Sequence, residues 1–120
     1  MKTEELLDIL GDLLKLDDVL ACMVVKKGLD GIYPSGIKIK NIDLWRLVNE
    51  TTDEMFDIIQ KFFKYGLQRL NLELGNYTIV IVPINETTGL VVIINSLANF
   101  GLLDVEIENT KRKILGYTNK

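Results

Sequence analysis

The side chains that most enzymes use for chemistry are nearly absent from this sequence. It contains no histidine, so it lacks the usual near-neutral general base and the commonest transition-metal ligand. Its single cysteine, Cys22, lies in the apolar run Ala-Cys-Met-Val-Val, which indicates a buried structural thiol rather than a nucleophile. The adjacent acids Asp17 and Asp18 could form an acid and base pair, but at a helix exit they are typical of a solvated turn. No glycine-rich phosphate-binding motif occurs. We therefore expect no catalytic residue, no metal and no cofactor.

Composition and charge exclude further classes of protein. The 120 residues are 48% apolar and 26% charged, as in a globular protein, and the formal net charge of −3 argues against binding to nucleic acid. No apolar run approaches the ~18 residues of a membrane span, and no apolar signal core follows the N-terminus, so we expect a cytoplasmic protein without membrane insertion. Four lysines form a locally basic segment that is either a solvated hairpin end or a dock for an acidic partner: Lys26, Lys27, Lys38 and Lys40.

The hydrophobic pattern predicts eight secondary-structure elements. Apolar residues recur every three to four positions in the predicted helices and run continuously or alternate in the predicted strands. Gly66 is placed to end the long helix. The predicted order is a helix at 3–15, strands at 19–25 and 31–33, a long helix at 43–65, strands at 67–74, 77–82 and 90–94, and a helix at 101–116.

Three of the predicted strands, at 19–25, 77–82 and 90–94, are apolar on both faces. Such strands need helices on both sides of the sheet. The sequence therefore predicts an α+β fold of three layers, α/β/α, around a five-stranded antiparallel sheet. Its elements follow the order helix, strand, strand, helix, strand, strand, strand, helix. With no linker and no internal repeat, residues 1–120 are expected to form a single domain.

The predicted long helix is apolar over about 180°, whereas a helix on a sheet needs only about 100°. With Leu44 at 0° and about 100° per residue, a first set of apolar residues centred on Leu44 is expected to contact the sheet: Leu47, Val48, Met55, Ile58, Ile59 and Phe62. A second set lies at about 80° to 120° and is expected to form a dimer interface, unless the loop at 34–42 covers it: Trp45, Thr52, Phe56 and Phe63.

The predicted strand at 67–74 alternates leucines with polar residues, as an edge strand with one wet face does. An unpaired edge invites another strand, and in a two-fold pairing Arg69 can approach Glu73 of a second copy. We therefore place Arg69, Asn71 and Glu73 in the predicted dimer interface. The alternative is an edge that these same charges protect from pairing.

The remaining side of the long helix is polar and mainly acidic. It is either a solvated face or a docking strip for a partner protein. The candidate partner-binding residues are Glu50, Asp53, Asp57, Gln60 and Lys64.

The order of elements resembles that of the Roadblock/dynein light chain family, which has a profilin-like fold. The resemblance rests on Val-Leu-Ala-Cys-Met-Val-Val at 19–25, Gly-Ile-Tyr at 31–33, the long helix, the hairpin at 77–94, and Leu-Ala-Asn-Phe-Gly-Leu-Leu at 97–103. The connection from Tyr33 to Ile42 is longer and richer in lysine than the family pattern.

The resemblance implies an adaptor rather than an enzyme. Family members form homodimers or heterodimers that serve as dynein subunits, as platforms in lysosomal signalling complexes, or as regulators of small Ras-like GTPases in bacteria. It implies that paired long helices face the GTPase and that edge strands join into one sheet. We therefore expect a homodimeric adaptor for a small GTPase or a complex that contains one. The alternative is a PAS-like or profilin-like module that senses a small molecule in a pocket inside one protomer.

Overall fold

The computed structural model describes residues 2–118, so the predicted domain of residues 1–120 extends beyond the described residues at both ends. Its centre is an antiparallel sheet in the order β1-β4-β3-β2. The strands are β1 (Val19–Lys26), β2 (Leu70–Leu74), β3 (Tyr77–Asn85) and β4 (Thr88–Asn95).

Helices cover both faces of this sheet. The first layer contains α1 (Lys2–Leu14) and α4 (Phe100–Thr118), and the second contains α2 (Ile42–Glu50) and α3 (Thr52–Phe63). Alternate residues of β4 enter two separate cores: Val92 and Ile94 lie in the core under α1 and α4, whereas Val91 and Ile93 lie in the core under α2 and α3. The predicted mixed fold with helices on both faces is therefore confirmed.

The predicted fifth strand at 31–33 is wrong. Ile32 makes one isolated bridge with Val24, in which each amide donates to the other carbonyl at 2.8 Å, and the chain then leaves the ladder. Pro34 follows, and because proline has no amide hydrogen it cannot continue the pairing. A little further on, Lys38 donates its amide to Leu20 O at 2.7 Å and its Nζ to Leu16 O at 2.8 Å. An irregular segment thus covers the outer edge of β1.

The predicted long helix is interrupted at Thr51, which has φ −101° and ψ 14° and separates α2 from α3. The Thr51 hydroxyl donates to Leu47 O at 2.9 Å, and the Thr52 hydroxyl donates to Asn49 O at 3.4 Å. Hydroxyls that bond back to carbonyls of the preceding turn commonly bend helices. α3 ends at Phe63, two residues before the predicted end, and the chain turns at Gly66, whose φ of +85° glycine adopts without strain.

The predicted orientation of this helical segment is correct only in part, because Val48, Met55 and Ile59 are buried as expected but other residues are not. Phe56, expected at a dimer interface, is only 4% exposed and lies in the core with Met55 and Ile59. Leu47 and Phe62, expected in the core, are each 54% exposed, and Ile58 is 39% exposed. Periodicity measures the width of an apolar arc but does not tell which half of a wide arc contacts the sheet.

The orientation predicts different roles for two phenylalanines of α3. Phe56→Ala should lower the free energy of unfolding by about 3–5 kcal/mol, because it leaves a cavity in the core. Phe62→Ala should lower it by less than about 1 kcal/mol, because this side chain is largely in water. Urea denaturation of dilute protein measures both values, and equal losses would contradict the orientation described.

A second prediction concerns Cys22, whose Sγ donates to Leu10 O at 3.3 Å. Burial raises the pKa of this thiol from 9.0 to about 12, and the charge of Lys38 opposes the rise only in part. A chromogenic thiol reagent at pH 8 should therefore react with the denatured chain but not with the native protein. Because the folded pKa is the higher one, the stability that the neutral thiol contributes is complete below pH 9.0 and is lost as the pH rises towards about 12. The difference in free energy of unfolding between the wild type and Cys22→Ala should therefore become smaller over that pH range.

Candidate functional site

An apolar groove of about 340 Å³ runs between the α2–α3 segment and β2. Ile79 and Ile81 of β3 form part of its lining, and among the described lining residues only Thr51 and Glu54 are polar. The helical wall consists of Leu44, Leu47, Val48, Thr51, Glu54, Met55 and Ile58, and the strand wall consists of Leu70, Leu72 and Leu74.

The groove exists because the helices do not cover the whole sheet. The buried residues of α2 and α3 share a core with β1, β3 and β4, whereas β2 contributes only the partly buried Leu70 to it. Leu72 and Leu74 therefore remain exposed, as do Leu47 and Ile58 across from them. A continuous exposed apolar surface of this kind marks an interaction site.

β2 is also the free edge of the sheet. It pairs with β3 from Leu70 opposite Ile81 to Leu74 opposite Tyr77, and no described strand lies on its other side. The opposite edge, at β1, is covered by the segment that contains Ile32 and Lys38. Only one edge is thus open to a further strand.

The sequence placed Arg69 at the dimer interface, but in the structure its side chain is bound within its own chain. Its side chain is mostly buried, with Nη1 hydrogen-bonded to Asp104 and Nη2 3.9 Å from Glu108, both on α4. The Asp104 and Glu108 carboxylates are four residues apart and therefore one turn apart on the same helical face. The spacing of Asp104 and Glu108 could have predicted a pair of carboxylates that binds a basic side chain, but it could not have identified that side chain as Arg69. Asn71 and Glu73 are exposed on β2, and their role at an interface stays a prediction.

The other predicted interface residues line a different surface from the groove. Trp45 is half-buried and makes an edge-to-face contact with Tyr33, with ring centroids 5.2 Å apart. Thr52 and Phe63 are partly buried, and Phe56 belongs to the core. The loop at 34–42 contributes Ile39 to the core against which Trp45 packs, so at Trp45 the structure matches the alternative of burial by this loop. Three exposed residues were not predicted to be at the surface: Leu47, Ile58 and Phe62.

The acidic strip is present on the solvent side of the helices. Glu50, Asp53, Asp57 and Lys64 are exposed, and Gln60 is partly buried. Glu54 lies beside this strip and, among the described lining residues, is the one charged side chain that reaches the groove.

The four lysines of the basic segment do not form one cluster. Lys26 is at the end of β1 that pairs with Thr88, whereas Lys38 pairs with Leu20 near the strand's start. Six residues of β-strand separate these points by roughly 20 Å. Lys38 is moreover bound to Leu16 in the turn after α1, so a single basic dock at these four residues is wrong.

The described residues contain no group of three or more histidine, cysteine or acidic side chains that could hold a metal ion. None of the described helices combines the length and the hydropathy that crossing a bilayer requires. What the arrangement offers chemically is an apolar surface, an open strand edge and an acidic flank.

No protein-family model and no curated protein sequence matches the chain. Solved structures do. Myxococcus xanthus MglB superposes with a TM-score of 0.78 at 17% identity, covering 96% of this chain and 95% of that one. A Roadblock/LC7 domain from Streptomyces avermitilis gives 0.70 at 12% identity, covering 95% and 98%. Myxococcus xanthus MglC gives 0.64 at 16% identity, covering 97% and 98%. The resemblance drawn from the sequence is confirmed at the level of fold, and the chain has the fold of Roadblock/LC7 domains.

Proposed function

We propose that the protein is a non-catalytic homodimeric adaptor that binds and regulates a small Ras-like GTPase, or a complex that contains one. The observation that carries this proposal is the apolar groove lying directly beside the free edge strand β2. Surfaces of this kind are suited to protein contacts.

The proposed occupant of the groove is a second copy of the chain. The helical wall from Leu44 to Ile58 is about 21 Å long, and the five residues of β2 span roughly 17 Å, so the two features have similar lengths. The helical wall is apolar and can pack against the same wall of a second copy. The free edge of β2 can form backbone hydrogen bonds with β2 of that copy. One two-fold partner can therefore cover the helical wall and pair with the edge strand together.

The GTPase part of the proposal rests on the Roadblock resemblance and on the acidic strip. The strip faces solvent rather than the groove, so covering the groove leaves Glu50, Asp53 and Asp57 accessible to a third protein. Exposed charges of one sign steer association and set specificity. The proposed location is the cytoplasm.

The small-molecule alternative is less well supported. Ligand sites combine an enclosed apolar cavity with several convergent polar groups. The groove has a suitable volume of about 340 Å³, but only Thr51 and Glu54 among its described lining residues are polar. A strand edge beside the cavity is also a feature that a small ligand does not need.

The first prediction from the proposal is that Ile58→Glu abolishes the dimer. The substitution puts a carboxylate into the groove wall twice per dimer, and an unpaired desolvated charge costs several kcal/mol. Sedimentation at micromolar concentration should show the variant at 13.6 kDa and the wild type at about twice that mass.

The matched control is Leu102→Glu, at another exposed apolar position, on α4 across the sheet. It should leave the dimer intact, and both variants should melt cooperatively. A wild type that sediments only as a monomer, or an Ile58→Glu dimer, would remove the groove from the proposal.

The second prediction concerns the acidic strip. Reversing Asp53 and Asp57 to lysine should weaken binding of a small Ras-like GTPase about ten-fold or more while the dimer survives, because both residues are exposed. Calorimetry with purified GTPases of the host cell, loaded with GDP or a GTP analogue, measures the effect.

Its control is the double variant Asp17→Lys and Asp30→Lys, which changes the net charge equally at exposed positions elsewhere. Equal weakening by both pairs would indicate a net-charge effect and not a docking strip. Unchanged affinity in the Asp53 and Asp57 variant would put the GTPase on another surface.

A further inference from the structure

Glu54 is an exception within the groove. It is the one charged side chain among the described lining residues, with Thr51 and Ile58 on adjacent turns of the same helical wall. Among the described residues it makes no ion pair within its own chain, whose ion pairs involve other side chains. A carboxylate in that position is desolvated by whatever fills the groove.

The spacing of the helical wall determines what Glu54 meets in the proposed dimer, so this inference rests on the proposed function. Leu44, Leu47, Thr51, Glu54 and Ile58 alternate steps of three and four residues. That alternation is the pattern by which one helix forms a seam along another.

The symmetry of the dimer fixes the direction of the seam. A partner that extends the sheet at β2 and keeps its own α2 and α3 on the same face is related by a two-fold axis perpendicular to the sheet. Such an axis makes both the strands and the helical segments antiparallel. Leu47 and Ile58 are the exposed large apolar residues of the helical wall, and the register that buries them against each other pairs Leu47 of one copy with Ile58 of the other. In that register the same axis places Thr51 opposite Glu54.

Thr51 cannot satisfy the carboxylate that faces it. Its hydroxyl hydrogen is directed to Leu47 O at 2.9 Å and Val48 O at 3.3 Å, and a carboxylate has no hydrogen to offer in return. The two-fold axis also repeats the arrangement, so two Glu54 carboxylates lie in the two central layers of one seam. Like charges in a desolvated contact oppose association.

We infer that Glu54 weakens the symmetric dimer and keeps its two copies in exchange with the monomer. The apolar layers on either side of Glu54 hold the two copies together, and the paired carboxylates limit how tightly they do so. Neutralising Glu54 without changing its shape should therefore tighten self-association, and the amide of glutamine can in addition donate to the Thr51 oxygen.

The test is the monomer–dimer dissociation constant of full-length wild type and of Glu54→Gln, measured by sedimentation over a dilution series at pH 7. The expected result is a dissociation constant at least about ten-fold lower for Glu54→Gln, since each dimer loses two charges. The control is Glu86→Gln, which removes the same charge from the exposed β3–β4 turn and should leave the constant unchanged.

The outcomes separate this inference from the proposed function. A dimeric wild type whose constant is the same in Glu54→Gln and Glu86→Gln overturns the inference and leaves the adaptor proposal standing. Weaker association of Glu54→Gln also overturns it, because Glu54 would then bind a cation of the partner. Wild type and variant that are both monomeric at every concentration overturn the inference and the dimer together.

Discussion

The central constraint on this fold is that β3 and β4 are apolar on both faces. From Thr78 to Ile84 and from Thr88 to Ile94 every residue is buried, so neither strand has a side that water can solvate. Here a helical layer on each side buries both faces, and the remaining elements follow from that demand. This constraint requires apolar residues along both strands but not particular ones, which explains how MglB can share the fold at 17% identity.

A layer of two helical pieces is narrower than a four-stranded sheet. On the α2–α3 side the helices lie over β1, β4 and β3, and the leucine face of β2 is left without a cover. On the other side, Arg69 connects the start of β2 to Asp104 and Glu108 of α4. The edge strand is thus held to the protein through one face while the other face stays open. An exposed apolar surface next to a fixed strand is prepared for association without refolding.

Much of this architecture could be predicted from the sequence, because continuous apolar runs and helical periodicity are strong signals. The strands at 19–25, 77–82 and 90–94 and the outer helices are close to their observed bounds. The orientation of α3 could not be predicted, since Phe56 and Phe62 are equally apolar and only the shape of the sheet beneath decides which is buried. Ile32 shows the same limitation. Its local sequence fits a strand, but it does not tell whether the chain makes one isolated bridge or a longer ladder. The bond of Arg69 to α4 joins residues 35 positions apart, which no local pattern encodes.

The segment that leaves β1 after Ile32 has a consequence for assembly. Lys38 binds this segment to Leu16 in the turn after α1, and the path of the segment along Leu20 and Val24 occupies hydrogen-bonding groups that another strand would need. A sheet lengthened at β2 by a second copy would therefore have a covered β1 at both of its outer ends. Growth by strand addition would then stop at two chains, so in such a dimer an open edge of the kind that seeds fibres in other proteins would give a closed assembly.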